Sequence, residues 1–201
     1  MSGSTNSDYL FSFVHSAKLI GVASSGLLSG YMFSASTSTV PALLTAGVSA
    51  DKLARVWNEQ YAQAWSLARP SVWVASFAFA FASYQRYSNT PAVNNAANAV
   101  RRSNIFVRYT GLSEVVQLAI ASGLVISVVP ITSFFLEPTY NKRLELAATS
   151  MEASRSKETS TVKVAILDEH AVKEDVKGWA YVNSVRATVL GAGFIVGLLS
   201  L

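Results

Sequence analysis

The chain has 201 residues, 51% of them hydrophobic and 14% charged, with a mean hydropathy of +0.33 and a formal net charge of +4. Soluble domains carry roughly 25% charged residues, so this composition fits an integral membrane protein of one domain, and its scattered charge argues against a nucleic-acid surface. The absence of cysteine excludes thiol–disulfide chemistry, cysteine-ligated iron–sulfur clusters and disulfide staples. Residues 1–8 form a short polar tail, and the first apolar run, from Tyr9 to about Phe33, is too long for a signal-peptide core. It reads as a retained membrane helix. His15, Lys18, Val22, Ser25 and Ser29 recur along one face, and Gly26 and Gly30 form a G-x3-G pair suited to close helix packing. SASTSTVP is expected to break this helix, with Pro41 opening a short apolar PALL segment.

DKLARVWNEQYAQAWSLAR (51–69) is a helix whose Trp57, Tyr61 and Trp65 lie on one face at i, i+4 and i+8. It continues through Pro70 into VWVASFAFAFASY, giving a second span over about 57–87 with a kink at the proline. The alternative is an interfacial helix followed by a separate span from Val72 to Tyr87. From Gln85 to Arg108 the chain is polar and basic, without acids, and NTPAVNNAANA reads as loop or short surface helix. A third span covers about 111–136, carrying Glu114 and Gln117 near its start and Pro130 near its end, and PITSFFLEPTYNKRL follows with Asn141 and Leu144. Residues 145–178 mix both signs of charge and read as two solvated helices joined by a polar turn.

The last stretch, WAYVNSVRATVLGAGFIVGLLSL, gives a fourth span over about 178–200. Trp179, Asn183 and Arg186 sit at i, i+4 and i+7 and share a face. Arg186 lies roughly 10 Å past the interfacial tryptophan, where insertion costs about 2.5–3.5 kcal/mol unless partners or water are found. It is either a brace within the bundle or an anion-holding group in a buried pocket. The expected fold is all-α: an integral membrane four-helix bundle with an extramembrane helical loop between spans three and four.

Four spans put both termini on one side of the membrane. The Lys and Arg bias leans towards the cytoplasm for the other side, which holds the loops after spans one and three. Chain direction then gathers His15, Lys18, Gln85, Glu114 and Gln117 towards the side of the termini. Trp57, Asn58, Glu59, Tyr61, Asn141, Trp179, Asn183 and Arg186 gather towards the other. Lys18 and Glu114 are expected to neutralise one another as an ion pair, which leaves the second group as the pocket candidate.

TVPALL (39–44), LARVWNEQYAQAWSLARP (53–70) with its W-x3-Y spacing, PIT…N-x2-L (130–144) and W-x3-N-x2-R (179–186) run along nearly the whole chain. In these motifs it resembles the anthrone oxygenase family, small four-span membrane proteins of fungal aromatic polyketide pathways. Members carry Asn or His at the position of Asn183; the Asn found here cannot serve as a base.

The resemblance implies oxidation of an anthrone CH2 to a quinone carbonyl with O2 as co-substrate and without flavin, haem or metal. Its expected partners are a hydrophobic aromatic small molecule and the lipid bilayer, with no nucleic acid and with homo-oligomerisation left open. An endoplasmic reticulum or other endomembrane location is expected. Enolising the doubly benzylic CH2 gives an electron-rich anthrolate that reduces O2 directly, so the protein must supply a dry aromatic cavity, an anion stabiliser and a proton acceptor. Arg186, with Asn183 and Asn141, is the expected oxyanion holder, and Trp57, Tyr61 and Trp179 the stacking surface. Glu59 is the first candidate base and His15 the second. No E-x2-H, H-x3-H or Cys set argues for a metal site. Two other classes stay open: a non-catalytic tetraspan scaffold, and a carrier of hydrophobic anions using the same arginine-lined cavity.

Overall fold

The computed structural model describes residues 6–88, 112–156 and 169–201, with side chains described from 12 to 88, 112 to 149 and 169 to 201. The stretch NTPAVNNAANA, the start of the third span at Gly111 and the first part of the second expected solvated helix lie outside these residues. Among the described residues every regular element is helical: α1 (Asn6–Ser34), α2 (Val40–Thr45), α3 (Ala50–Ser88), α4 (Glu114–Ile131), α5 (Lys142–Ser156) and α6 (Glu169–Leu198).

Two π-helical segments join α-helices without a break, Ala35–Thr39 between α1 and α2 and Thr132–Asn141 between α4 and α5. The expected break at SASTSTVP is therefore corrected to a widened turn inside one rod. Both segments involve a proline, Pro41 just after the first and Pro138 within the second, whose missing N–H removes a rung of the α ladder. The backbone answers with i→i+5 closure: Val40 N–H bonds to Ala35 O and Lys142 N–H to Glu137 O. The first rod ends at Gly47, whose φ of 64° suits a residue without Cβ, and its N–H bonds back to Leu44 O.

Three rods are long and apolar enough to cross a membrane: Ser12–Thr45, Glu114–Thr149 and Glu169–Leu198. Helix α3 spans 39 residues, about 58 Å at ~1.5 Å each, and runs on as helix through Pro70. It is not among these three: its first half carries Asp51, Lys52, Arg55, Glu59 and Arg69, and its second half interleaves its apolar residues with Ser, Trp and Tyr.

The chain divides into two compact units. One comprises Met1–Ser29, Pro70–Val128 and Val189–Leu201. Its packing centres on Phe79, fully buried, with Gly21 so near the ring that a Cβ there would come within 2.8 Å of it. Lys18 and Glu114 form the expected ion pair, and Glu114 also accepts from Arg86 Nε at 3.0 Å. Ser76 and Ser122, and Ser83 with the Val115 carbonyl, tie α3 to α4. Phe13, Leu19, Ile20, Leu27, Phe77 and Phe81 face outward, a surface suited to lipid. Of the G-x3-G pair, Gly26 lies against Phe194, whereas a Cβ on Gly30 would meet nothing within 4 Å.

The other unit comprises Gly30–Arg69 and Val129–Thr188. Its core joins Val40, Leu53, Ala54, Trp57, Leu136, Leu144, Val172, Val176 and Trp179. Here the expectation of solvated helices over 145–178 is corrected. Helices α5 and α6 each bury an apolar stripe, Leu144 and Ala147 on one and Val172 and Val176 on the other. Among the described residues, charged side chains of these stretches pair locally as Lys173–Glu169 and Lys177–Glu174 and between helices as Arg143–Asp175.

Candidate functional site

The second unit holds the polar residues that the sequence aligned on one stripe of the last helix. Arg186 is 5% exposed and Asn183 3% exposed. Arg186 Nη1 donates to Asn183 Oδ1 at 3.1 Å. Asn183 Nδ2 donates in turn to the Met32 carbonyl at 3.1 Å and to Ser36 Oγ at 2.8 Å. The Ser36 hydroxyl spends its own proton on the Met32 carbonyl at 2.9 Å, so it can only accept from Asn183. That arrangement fixes which end of the amide faces Arg186. Ser36 belongs to the first π segment, so the widened turn is what presents its hydroxyl here.

Opposite lies the aromatic stripe of α3. The Trp57 and Tyr61 rings stack with centroids 5.1 Å apart at 7°, and Tyr61 and Trp65 at 6.1 Å and 26°. Trp179 meets Trp57 edge-on at 5.9 Å and 89°. Further along α3, the Arg69 guanidinium lies 6.0 Å from the Trp65 ring.

The second π segment supplies Glu137 and Asn141, one helical turn apart. Asn141 Nδ2 donates to the Tyr61 oxygen at 2.9 Å and to Glu137 Oε2 at 3.3 Å. The Tyr61 hydroxyl points at the same carboxylate oxygen, 3.5 Å away, at the edge of hydrogen-bond range.

Tyr31, Met32, Ala35, Tyr61, Trp65, Trp179, Asn183 and Arg186 line a cavity of about 20 Å³. That holds about one water-sized guest, so a larger guest requires the walls to part. Tyr31 and Trp65, each 38% exposed, form the accessible part of this wall. Among the described residues of this unit, four buried polar atoms lack partners: Arg186 Nε and Trp179 Nε1 on residues that line the cavity, and Trp57 Nε1 and Asn141 Oδ1 on residues in contact with Tyr61. Leaving such groups unsatisfied costs about 1–3 kcal/mol each. The two on lining residues are both donors, so the unmet demand at the cavity is for an acceptor.

Of the eight residues expected at a site, Arg186, Asn183, Tyr61 and Trp179 line this cavity, and Trp57 and Asn141 lie in the same unit in contact with Tyr61. The two expected bases are elsewhere. Glu59 is exposed and pairs with Arg55 one turn back on α3, at 3.1 Å. It lies two residues past Trp57, off the stripe that faces the chamber. His15 is exposed on α1 within the first unit. The carboxylate that is present, Glu137, was missed, as was Ser36. A signal for Glu137 existed, since it is the sole acid between Glu114 and Glu145, and a lone carboxylate in an apolar run invites a functional reading. Among the described residues, no three His, Cys, Asp or Glu side chains gather as metal ligands.

Comparison with curated proteins and with solved structures returns no match. A family model described as anthrone oxygenase matches residues 57–196, well over half of the chain and inclusive of the aromatic stripe, Glu137, Asn141, Asn183 and Arg186. The chain belongs to the anthrone oxygenase family.

Proposed function

We propose that this chain is a four-span, endomembrane oxygenase that converts the CH2 of an anthrone-type aromatic polyketide to a carbonyl, with O2 as co-substrate and no bound cofactor. The observation that carries the reading is Arg186: a buried guanidinium, held from one side by Asn183, with Nε left without a partner at a chamber walled by tryptophan and tyrosine. An anthrone presents what this chamber lacks. Its flat tricyclic ring suits the Trp57–Tyr61 stack and the Trp179 edge. Its oxygen becomes an anion on enolisation, and a fixed cation in a dry site favours that anion.

Once formed, the anthrolate is electron-rich enough to pass electrons to O2, and the protein's part is to hold and desolvate it. Entry requires Tyr31 and Trp65 to move aside, because the closed cavity admits only a water-sized guest. The outward apolar residues of the first unit keep the chain in the bilayer, where such a substrate dissolves.

Detergent-solubilised protein incubated with emodin anthrone in air, with spontaneous oxidation subtracted, is the direct test. Quinone formation in proportion to enzyme supports the reading. Binding without turnover would make the protein a carrier instead, and no binding at all would leave a scaffold.

A further inference from the structure

The chemistry above needs a place for a proton, and neither Glu59 nor His15 is at the chamber. The second π segment offers one. Glu137 is partly buried, and its Oε2 is approached by two groups, Asn141 Nδ2 at 3.3 Å and the Tyr61 hydroxyl at 3.5 Å. Tyr61 in turn lines the cavity, and its oxygen accepts from Asn141 at 2.9 Å. A continuous path therefore runs from the cavity, through one phenol, to one carboxylate. The amide of Asn141 spans both ends and holds them together.

Resting on the anthrone reading, we infer that Tyr61 and Glu137 form the proton acceptor of this site. Tyr61 is the group that touches the substrate, and Glu137 is the positioning and storing residue behind it. As the C–H bond of the CH2 breaks, its proton goes to the Tyr61 oxygen while the Tyr61 proton moves to Glu137. The electron pair stays on the substrate, whose oxygen becomes an anion beside Arg186. The anion reduces O2 and a C–O bond forms, giving a peroxide anion at the former CH2 carbon. The stored proton returns through Tyr61 to that peroxide. The restored pair then removes the second C–H proton as the O–O bond breaks. Hydroxide leaves, takes that proton and departs as water, with the carbonyl formed. One CH2 and one O2 give one C=O and one H2O, with no outside reductant.

The relay never holds charge on the phenol, because Tyr61 passes its own proton to Glu137 as it takes one from the substrate, and the Asn141 amide keeps the two oxygens facing one another. The π-helical geometry matters because Glu137 and Asn141 both lie within it, a placement common for π segments at functional sites.

The test is the pH profile of Glu137→Gln, with Tyr61→Phe as the second variant should the first misfold. Wild-type protein, solubilised whole, is first shown to turn over emodin anthrone. At neutral pH, Glu137→Gln is expected to lose about 10²-fold or more in kcat/KM, the usual worth of a positioned acid–base group. Substrate affinity, read by quenching of tryptophan fluorescence, should stay within about threefold, less than half of a tenfold change on the free-energy scale. The variant's rate should then climb with pH and approach wild type once the anthrone ionises by itself in solution. A CD2-labelled substrate should show a larger isotope effect in the variant below that pH. Equal turnover of variant and wild type at neutral pH overturns the inference, as does a loss that no rise in pH restores while affinity is kept. A wild type that binds but never oxidises the anthrone would instead overturn the oxygenase reading on which the inference rests.

Discussion

Arg186 and Asn183, three residues apart on one helix, are joined by a 3.1 Å hydrogen bond from guanidinium to amide oxygen. Asn183 spends its NH2 on the Met32 carbonyl and Ser36 Oγ, so Arg186 receives a fixed acceptor and not a freely rotating one. Arg186→Met is expected to keep fold and expression, since an apolar side chain of similar length removes the cost of burying a charge. Turnover of an anthrone should fall by about 10²–10³, as for loss of one oxyanion donor. Arg186→Lys should recover little, because a lysine cannot both reach Asn183 and present a second planar donor. Initial rates alongside thermal unfolding in detergent check this, and wild-type turnover in the Met variant would remove Arg186 from the mechanism.

Ser36 reaches Arg186 only through Asn183. Ser36→Ala should cost about 1–3 kcal/mol of stability, the worth of its two neutral hydrogen bonds, to the Met32 carbonyl and from Asn183, and lower turnover by about three- to tenfold through a looser Arg186. Ser36→Thr keeps the hydroxyl and should restore most of both. Should alanine change neither melting temperature nor rate, the Ser36–Asn183 bond does not hold the arginine.

In the first unit Glu114 is shared, since the same carboxylate oxygen serves Lys18 and Arg86. Lys18 has a second acceptor, the Ser200 carbonyl at 2.7 Å. Glu114→Gln should therefore destabilise more than Lys18→Met, because it leaves a cation 2% exposed without its counter-charge. The double variant should lose less than the sum of the two, with a coupling above about 1 kcal/mol in a double-mutant cycle. Additive losses would mean the pair contributes nothing beyond packing.

The four-span proposal makes a topological forecast. Single cysteines placed at Ser4, Ser103 and Ser156 in this cysteine-free chain should label from one side for the first two and from the opposite side for the third. Labelling of all three from one side would contradict four spans.

Much of the chamber was legible because its residues obey simple periodicities. Trp57, Tyr61 and Trp65 recur every four residues, and Trp179, Asn183 and Arg186 follow four-then-three spacing, so a helical wheel aligns them whatever the tertiary fold. Charge was the misleading signal. The charges from Glu145 through Arg155 and beyond suggested a solvated stretch over 145–178, yet Ala147, Val172 and Val176 within it are core residues, because a helix needs only one stripe of its surface to be buried. Glu59 misled in the reverse sense. Closeness in sequence to Trp57 put it near the site, whereas its angular position turned it out to Arg55. Ser36 was obscured by the break read at SASTSTVP, and Glu137 by its place just past the expected end of the third span at about 136.

The widened turns also change how these rods carry position along their length. An α-helix advances about 100° per residue, so one additional residue in a turn rotates everything beyond it by that much. Each rod that contains a π segment is therefore continuous in space but discontinuous in phase. A cysteine or tryptophan scan along residues 12–45 or 114–149 should show accessibility oscillating with a period of 3.6 residues on either side, with a step in phase across Ala35–Thr39 and Thr132–Asn141. Such a step frees the face turned to lipid in one stretch from dictating the face turned to the chamber in the next.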